Sequence, residues 1–174
     1  MTDEISAKDL EEFYNKGELA FEKKNFDYAI EIFSQILSSK YDHLQARRYL
    51  HLSLRNKTPQ KSSSFFTSLI SSLNRLVGTI SSETLLKKGN VKGALESLEK
   101  IIAKNPYDAA TLKKIAGIFY KNNLVPQAIQ NLDEAKQIAP NDTSALKKLG
   151  EIFLKKEDYK NAKLNYEAAL KVNP

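Results

Sequence analysis

Residues 142–174 read DTSALKKLGEIFLKKEDYKNAKLNYEAALKVNP, and this stretch decides the fold. Asp142 and Thr143 carry side-chain oxygens able to accept the orphan backbone N–H groups that open a helix. Leu146, Leu149 and Phe153 then recur at spacings of three and four, the apolar stripe of a first helix. Lys156-Glu157-Asp158 makes a turn. Tyr159, Ala162, Tyr166, Ala169 and Leu170 are expected to face inward from a second helix. Pro174 stops propagation, having no N–H to donate. Ala162 is small where two helix backbones should approach, and a larger residue there would overpack the contact by about 1–3 kcal/mol.

The same columns recur upstream. Pro106, Pro140 and Pro174 are spaced by thirty-four residues, as are Ala94, Ala128 and Ala162. Leu98, Leu132 and Tyr166 keep step with them, followed by Ile101, Ala135 and Ala169. In the preceding helix Leu85, Phe119 and Phe153 hold the same register. A fixed period of this length marks a stacked helix-pair architecture.

These columns resemble the tetratricopeptide repeat, whose signature is a spaced Trp, Leu-Gly, Tyr, Ala, Phe, Pro set. The last unit matches with Leu146, Leu149-Gly150, Phe153, Ala162, Tyr166 and Pro174. The unit before it matches with Leu112, Ile115-Ala116, Phe119, Ala128, Leu132 and Pro140. Near the N-terminus Phe13, Gly17, Ala20, Ala29, Phe33 and Ile36 fit, with Tyr41 in place of the Pro. The unit ending at Pro106 fits in its second helix, but its first helix carries Gly78 and Ser81-Ser82 where bulky apolar and Gly residues belong. The resemblance implies an all-α fold, a right-handed α-solenoid of antiparallel helix pairs forming one domain over residues 1–174. Its five units fall at about 10–43, 44–74, 75–108, 109–142 and 143–174, the second of them irregular. The stretch Gln45-Ala46-Arg47-Arg48-Tyr49-Leu50 also resembles a bacterial group of such proteins, in which an Ala-Arg-Arg-rich helix precedes a divergent linker.

The irregular unit has its own signals. Ala29 to Ala94 spans sixty-five residues, three short of two repeats. Leu44, Leu50, Leu52 and Leu54 predict a first helix over 44–56, and Thr58-Pro59-Gln60-Lys61-Ser62-Ser63-Ser64 reads as a loop. Then Phe65, Phe66, Leu69, Ile70, Leu73, Leu76, Val77 and Ile80 fall on one face of a helix over 65–80, opposite Ser68, Ser71, Ser72, Asn74, Arg75 and Thr79. Two readings compete. One is a degenerate second helix that completes the unit and runs on into the next. The other is an interfacial helix that makes the protein a peripheral membrane adaptor, with Phe65, Phe66, Leu69, Ile70 and Leu73 as its contact residues.

Composition bounds the chemistry. The chain has 174 residues, no Cys and two His, which excludes disulfides and leaves little for a transition-metal site. Its acidic N-terminus, Met1-Thr2-Asp3-Glu4-Ile5-Ser6, is not a secretory signal, and no apolar run approaches a membrane span, so the expected compartment is the cytoplasm. His43 and His51 lie eight residues apart on one helix with no acid between them, which points to a surface or inter-repeat role. No phosphate loop or paired-carboxylate site stands out, so neither enzyme activity nor a cofactor is expected. Residues 1–42 hold ten acidic and five basic side chains, a net −5, and residues 43–174 hold eleven and twenty-two, a net +11. A surface this basic suits an acidic partner. Nucleic acid is disfavoured, because no basic run is interleaved with regularly spaced aromatics.

The resemblance implies that a partner lies along the first helices of the units. The groove positions that follow from it include Tyr14, Glu18 and Phe21 in the first unit, Arg48 and Arg55 in the second, Lys113 and Tyr120 in the fourth, and Lys147 and Glu151 in the fifth. Arg48, Lys113 and Lys147 take equivalent places and would suit an acidic protein or peptide, with the aromatics as anchors. One subtype of the family clamps a chaperone's C-terminal carboxylate with paired Lys and Asn, but Glu18, Leu52, Glu83, Gly117 and Glu151 stand where the Asn belongs. The last unit ends at Pro174 with no polar capping helix after it, which points to a continuing chain or to self-association with a second copy.

Overall fold

A computed structural model describes the backbone of residues 7–58 and 65–172 and the side chains of residues 9–58 and 75–172. Among these residues the chain forms helices α1 (Ala7–Glu22), α2 (Phe26–Ser39), α3 (Leu44–Lys57), α4 (Phe65–Lys87), α5 (Val91–Lys104), α6 (Ala109–Lys121), α7 (Val125–Ile138), α8 (Thr143–Lys155) and α9 (Tyr159–Val172). The fold is an all-α helical solenoid, and no strand occurs among the described residues. It divides into two compact units, Met1–Tyr107 with α1–α5 and Asp108–Pro174 with α6–α9.

The helix boundaries follow from capping and turn chemistry. Asn25, Asn90, Asp108 and Asp142 each accept a backbone N–H from the first turn of the helix they precede, at 2.8–3.3 Å. His43 does the same for α3, its Nδ1 accepting the Ala46 N–H at 3.1 Å. At α7 a Pro in the first turn replaces a side-chain cap. The turns within helix pairs each place one residue in the left-handed region: Lys24, Gly89, Asn123 and Glu157, with φ of 59°, 74°, 61° and 60°. Three of these keep the thirty-four-residue period, so the turn repeats with the core.

In the first unit the core runs through Ala29, Phe33 and Ile36 of α2, Ala46, Leu50 and Leu54 of α3, and Ala94, Leu98 and Ile102 of α5. α2 packs against both α1 and α3, and α5 packs against α4 and also meets α3. In the second unit Leu112, Ile115 and Phe119 of α6 meet Ala128, Leu132 and Ala135 of α7, and Leu146, Leu149 and Ile152 of α8 meet Ala162 and Ala169 of α9. The Ala at the start of each second helix, Ala29, Ala94, Ala128 and Ala162, is at most 3% exposed. The inward reading of α9 holds for Ala162 and Ala169, while Tyr166 is half-buried. It fails for Tyr159 and Leu170, which are exposed, because the two residues lie to the side of the Ala162–Ala169 seam.

α4 is one unbroken helix across residue 74, where the sequence places a unit boundary. Phe65, Phe66, Leu69, Ile70 and Leu73 belong to its first turns, and their side chains lie outside the described residues. Downstream the helix is docked by its small face. A Cβ on Gly78 would sit 2.7 Å from Ile101 Cδ1, the Ser81 and Ser97 hydroxyls are 3.3 Å apart, and Ser82 is buried. Small residues let α5 come close, and α4 therefore turns Leu76, Val77 and Ile80 outward.

Candidate functional site

In the second unit α6 and α8 lie side by side, both leaning on α7. Between them opens a cleft of about 450 Å³, lined by Ala110, Lys113, Gly117 and Tyr120 of α6 and by Ser144, Lys148 and Ile152 of α8, among others. Gly117 makes room for it: a Cβ there would meet nothing within 4 Å. The floor is apolar and the rim is cationic. The Tyr120 ring is flanked by two ammonium groups of α8, Lys148 Nζ at 5.4 Å and Lys155 Nζ at 5.6 Å from its centroid. Two cations over one ring hold it in place by attraction to its π face.

The cations of this cleft are themselves organised. Lys113 reaches across to pair with Asp142 and donates to Ser144 Oγ at 2.6 Å. That contact, together with hydrogen bonds from the Ser144 hydroxyl and backbone N–H, holds the Asp142 carboxyl down to about 2. Lys113 therefore fastens α6 to the start of α8. Lys148 pairs with Glu151 at 2.7 Å, one turn along its own helix. Lys147 and Glu151 are both exposed. The stripe inferred from the sequence includes Lys147; the residue that lines the cleft is its neighbour Lys148. The signal was the helical phase: Ser144, Lys148 and Ile152 share a face at a spacing of four, one step off the inferred stripe.

In the first unit the predicted groove residues meet in an aromatic cluster. Tyr14 stands edge-on to Phe33 and Tyr49 and stacks on His43 with centroids 5.6 Å apart. Phe21 packs edge-on against Phe26 and Tyr49, and Tyr49 stacks on Phe33. Tyr49 Oη donates to Glu18 Oε1 at 2.7 Å. Burial, with the Glu18 charge nearby, pushes the Tyr14 phenol up to about 12, so it stays a neutral hydroxyl. Tyr14, Glu18 and Phe21 thus join α1 to α3, and each keeps part of its surface in water. Arg48 is exposed on α3, and the Arg55 carbonyl receives the Tyr107 hydroxyl at 3.3 Å.

The two histidines have separate tasks. His43 caps α3, and burial lowers its pKa, which preserves the neutral ring that can accept at Nδ1. His51 is fully buried, and its Nε2 lies 3.0 Å from Glu99 Oε2 of α5. Arg47, equally buried, pairs with the other oxygen of Glu99 and donates through Nη2 to the Tyr41 carbonyl at 2.7 Å. The sequence shows no acid between the two histidines; the fold supplies one from the fifth helix. The pattern Arg47-x-x-x-His51 was the available signal, two polar residues on an otherwise buried face. This cluster fastens α3 to α5 and is closed to solvent on the His51 and Arg47 side.

A family profile described as a tetratricopeptide repeat matches residues 85–151, and a second of the same description matches 144–174. Together they span just over half of the chain. No curated protein matches the chain in sequence. Among solved structures, a crystal structure of MamA protein is 17% identical with a TM-score of 0.51, covering 94% of this chain and 91% of that one. Another crystal structure of MamA is 16% identical with a TM-score of 0.51, covering 90% and 93%. A MamA fragment from Desulfovibrio magneticus RS-1, starting at its residue 41, is 15% identical with a TM-score of 0.50, covering 97% and 96%. At such identities the likeness is one of fold.

Proposed function

Because the chain belongs to the tetratricopeptide-repeat family, we propose that it is a non-catalytic scaffold that holds an acidic protein segment or peptide against its first helices. One observation carries this reading: the cleft between α6 and α8, with an apolar floor, Tyr120 at its edge and Lys148 and Lys155 over the ring. Around it Lys113, Lys114, Lys147, Lys148 and Lys155 outnumber Asp142 and Glu151. An extended acidic segment would lay an apolar side chain over Gly117, stack against Tyr120 and set its carboxylates on the lysine rim. In the first unit Arg48 of α3, whose charge is felt by Tyr14 and Tyr49, sets a cation beside the aromatic cluster, and Arg55 follows it on the same helix. Lys147 and Glu151 border the α8 side, where Glu151 competes with a ligand carboxylate for Lys148.

The test is selection from a random peptide library, followed by titration of the selected peptides onto the full chain. Peptides rich in Asp and Glu should emerge, and their affinity should fall with salt and with Lys148→Glu. Gly117→Leu should abolish binding while the chain stays folded. Peptides without acidic enrichment, or bound equally by the Gly117→Leu variant, would remove the cleft from consideration.

A further inference from the structure

We propose that the outward face of α4 docks onto the surface of an anionic lipid bilayer, lying in the interface rather than crossing it. Leu76, Val77 and Ile80 are 56%, 69% and 56% exposed, on a helix whose small and hydroxyl-bearing residues, Gly78, Thr79 and Ser82, face the protein. This inverts the usual arrangement of a surface helix, whose apolar stripe faces the core. In sequence Leu73, Ile70, Leu69, Phe66 and Phe65 precede these residues at helical spacing. No described helix is long and apolar enough to cross a membrane. A helix with one apolar side and a polar opposite side partitions into the headgroup boundary instead.

Charge complementarity selects the occupant. From residue 43 to residue 95 the only acid is Glu83, against eight Lys and Arg residues besides the buried Arg47. Beside the stripe, Val77, Gly78 and Ser81 share a crevice of about 350 Å³ with Lys100 and Lys104 of α5, and both lysines are exposed. Lys87 and Lys88 are exposed at the end of the helix. An exposed apolar stripe bordered by ammonium groups matches acyl chains beneath phosphate headgroups. A second copy of the chain would bring the same cations against themselves, which disfavours self-pairing through this face.

The full chain would be floated with vesicles of phosphatidylcholine alone and of a two-to-one mixture of phosphatidylcholine and phosphatidylglycerol. The chain should float with the acidic vesicles. Its bound fraction should fall at least about tenfold in a Leu76→Ser, Val77→Ser, Ile80→Ser variant. Lys100→Glu with Lys104→Glu should reduce binding to acidic vesicles as well. The chain has no Trp, so Val77→Trp gives a single reporter whose emission should move to shorter wavelength when acidic vesicles are added. That reporter decides the matter even if the triple variant misfolds. Absence of the chain from both floated fractions, equal flotation of the triple variant, or unchanged Trp emission would each overturn the proposal. So would a dimer that the triple variant dissociates in the absence of any vesicle binding.

Discussion

Arg47 of α3 and Glu99 of α5 form a buried ion pair that joins two helices far apart in sequence. Only 2% of the Arg47 side chain and 16% of the Glu99 side chain remain accessible. His51, one turn beyond Arg47, shares the same carboxylate. α5 thereby serves two first helices: α4, with which it forms a hairpin, and α3, to which these three residues tie it.

Removing Glu99 should therefore cost far more than an exposed charge would. Glu99→Ala strands a buried guanidinium and a buried imidazole, and should destabilise the chain by about 3–5 kcal/mol. Arg47→Met with Glu99→Gln strands no charge and keeps an acceptor for His51, so the double variant should be the more stable of the two. Urea unfolding of both, with each single variant, completes the cycle. Strictly additive effects of the single changes would show that the pair is not coupled.

Asp142 gives the pH dependence a defined sign. Its folded-state pKa is depressed to about 2 from 3.8, first by the Lys113 hydrogen bond and then by Ser144. The charged cap therefore stabilises the fold at pH above about 4, and the contribution is lost as pH falls from about 4 towards 2. The Asp142 side chain is 37% exposed, so screening makes the effect smaller than the shift alone would give. Asp142→Asn keeps a capping oxygen but does not titrate. Acid unfolding curves of the two forms should differ above pH 4 and converge near pH 2.

The repeat was legible because its columns are where backbones meet: Ala94, Ala128 and Ala162 recur at thirty-four residues, as do the capping Asp108 and Asp142 and the left-handed Gly89, Asn123 and Glu157. The candidate cleft was legible in part. Lys113 and Tyr120 fall on the inferred stripe, but the pairing of Lys113 with Asp142 depends on a contact between α6 and the start of α8 that a one-dimensional pattern does not carry. The Glu99 cluster was hidden by the sixty-five-residue interval between Ala29 and Ala94, which breaks the period just where α3 needs its partner. The periodicity of residues 65–80 shows two faces, but it does not show which of them faces the protein. Over residues 75–82 the close approach of α5 at Gly78 gives that place to the small face.

Tyr120 offers a test of the cation–ring contacts independent of any ligand. Tyr120→Phe keeps the π face and should leave stability within about 0.5 kcal/mol of the parent, whereas Tyr120→Leu loses both ammonium contacts and should cost about 1 kcal/mol. Thermal unfolding followed by circular dichroism separates the two. Equal losses would assign the effect to the hydroxyl or to apolar packing rather than to Lys148 and Lys155.

Glycines in three first helices should respond in opposite directions to the same substitution. Ala is the better helix former by about 1 kcal/mol, so an unhindered Gly→Ala change stabilises. At Gly117 the added Cβ meets nothing within 4 Å, and Gly117→Ala should raise stability by about that amount. At Gly17 the Cβ would lie 2.8 Å from the Phe33 ring, and at Gly150 2.8 Å from the Tyr166 ring. Overpacking of this kind costs about 1–3 kcal/mol and outweighs the propensity gain where the ring cannot yield. Phe33 is fully buried, wedged against Tyr14 and Tyr49, so Gly17→Ala should destabilise the more. Tyr166 is half-buried and can swing outward, which makes Gly150→Ala the milder change. The expected order of melting temperatures is Gly117→Ala, then the parent, then Gly150→Ala, then Gly17→Ala. A stabilised Gly17→Ala variant would mean that the Phe33 ring has room to retreat and that the aromatic cluster is looser than its ring geometry implies.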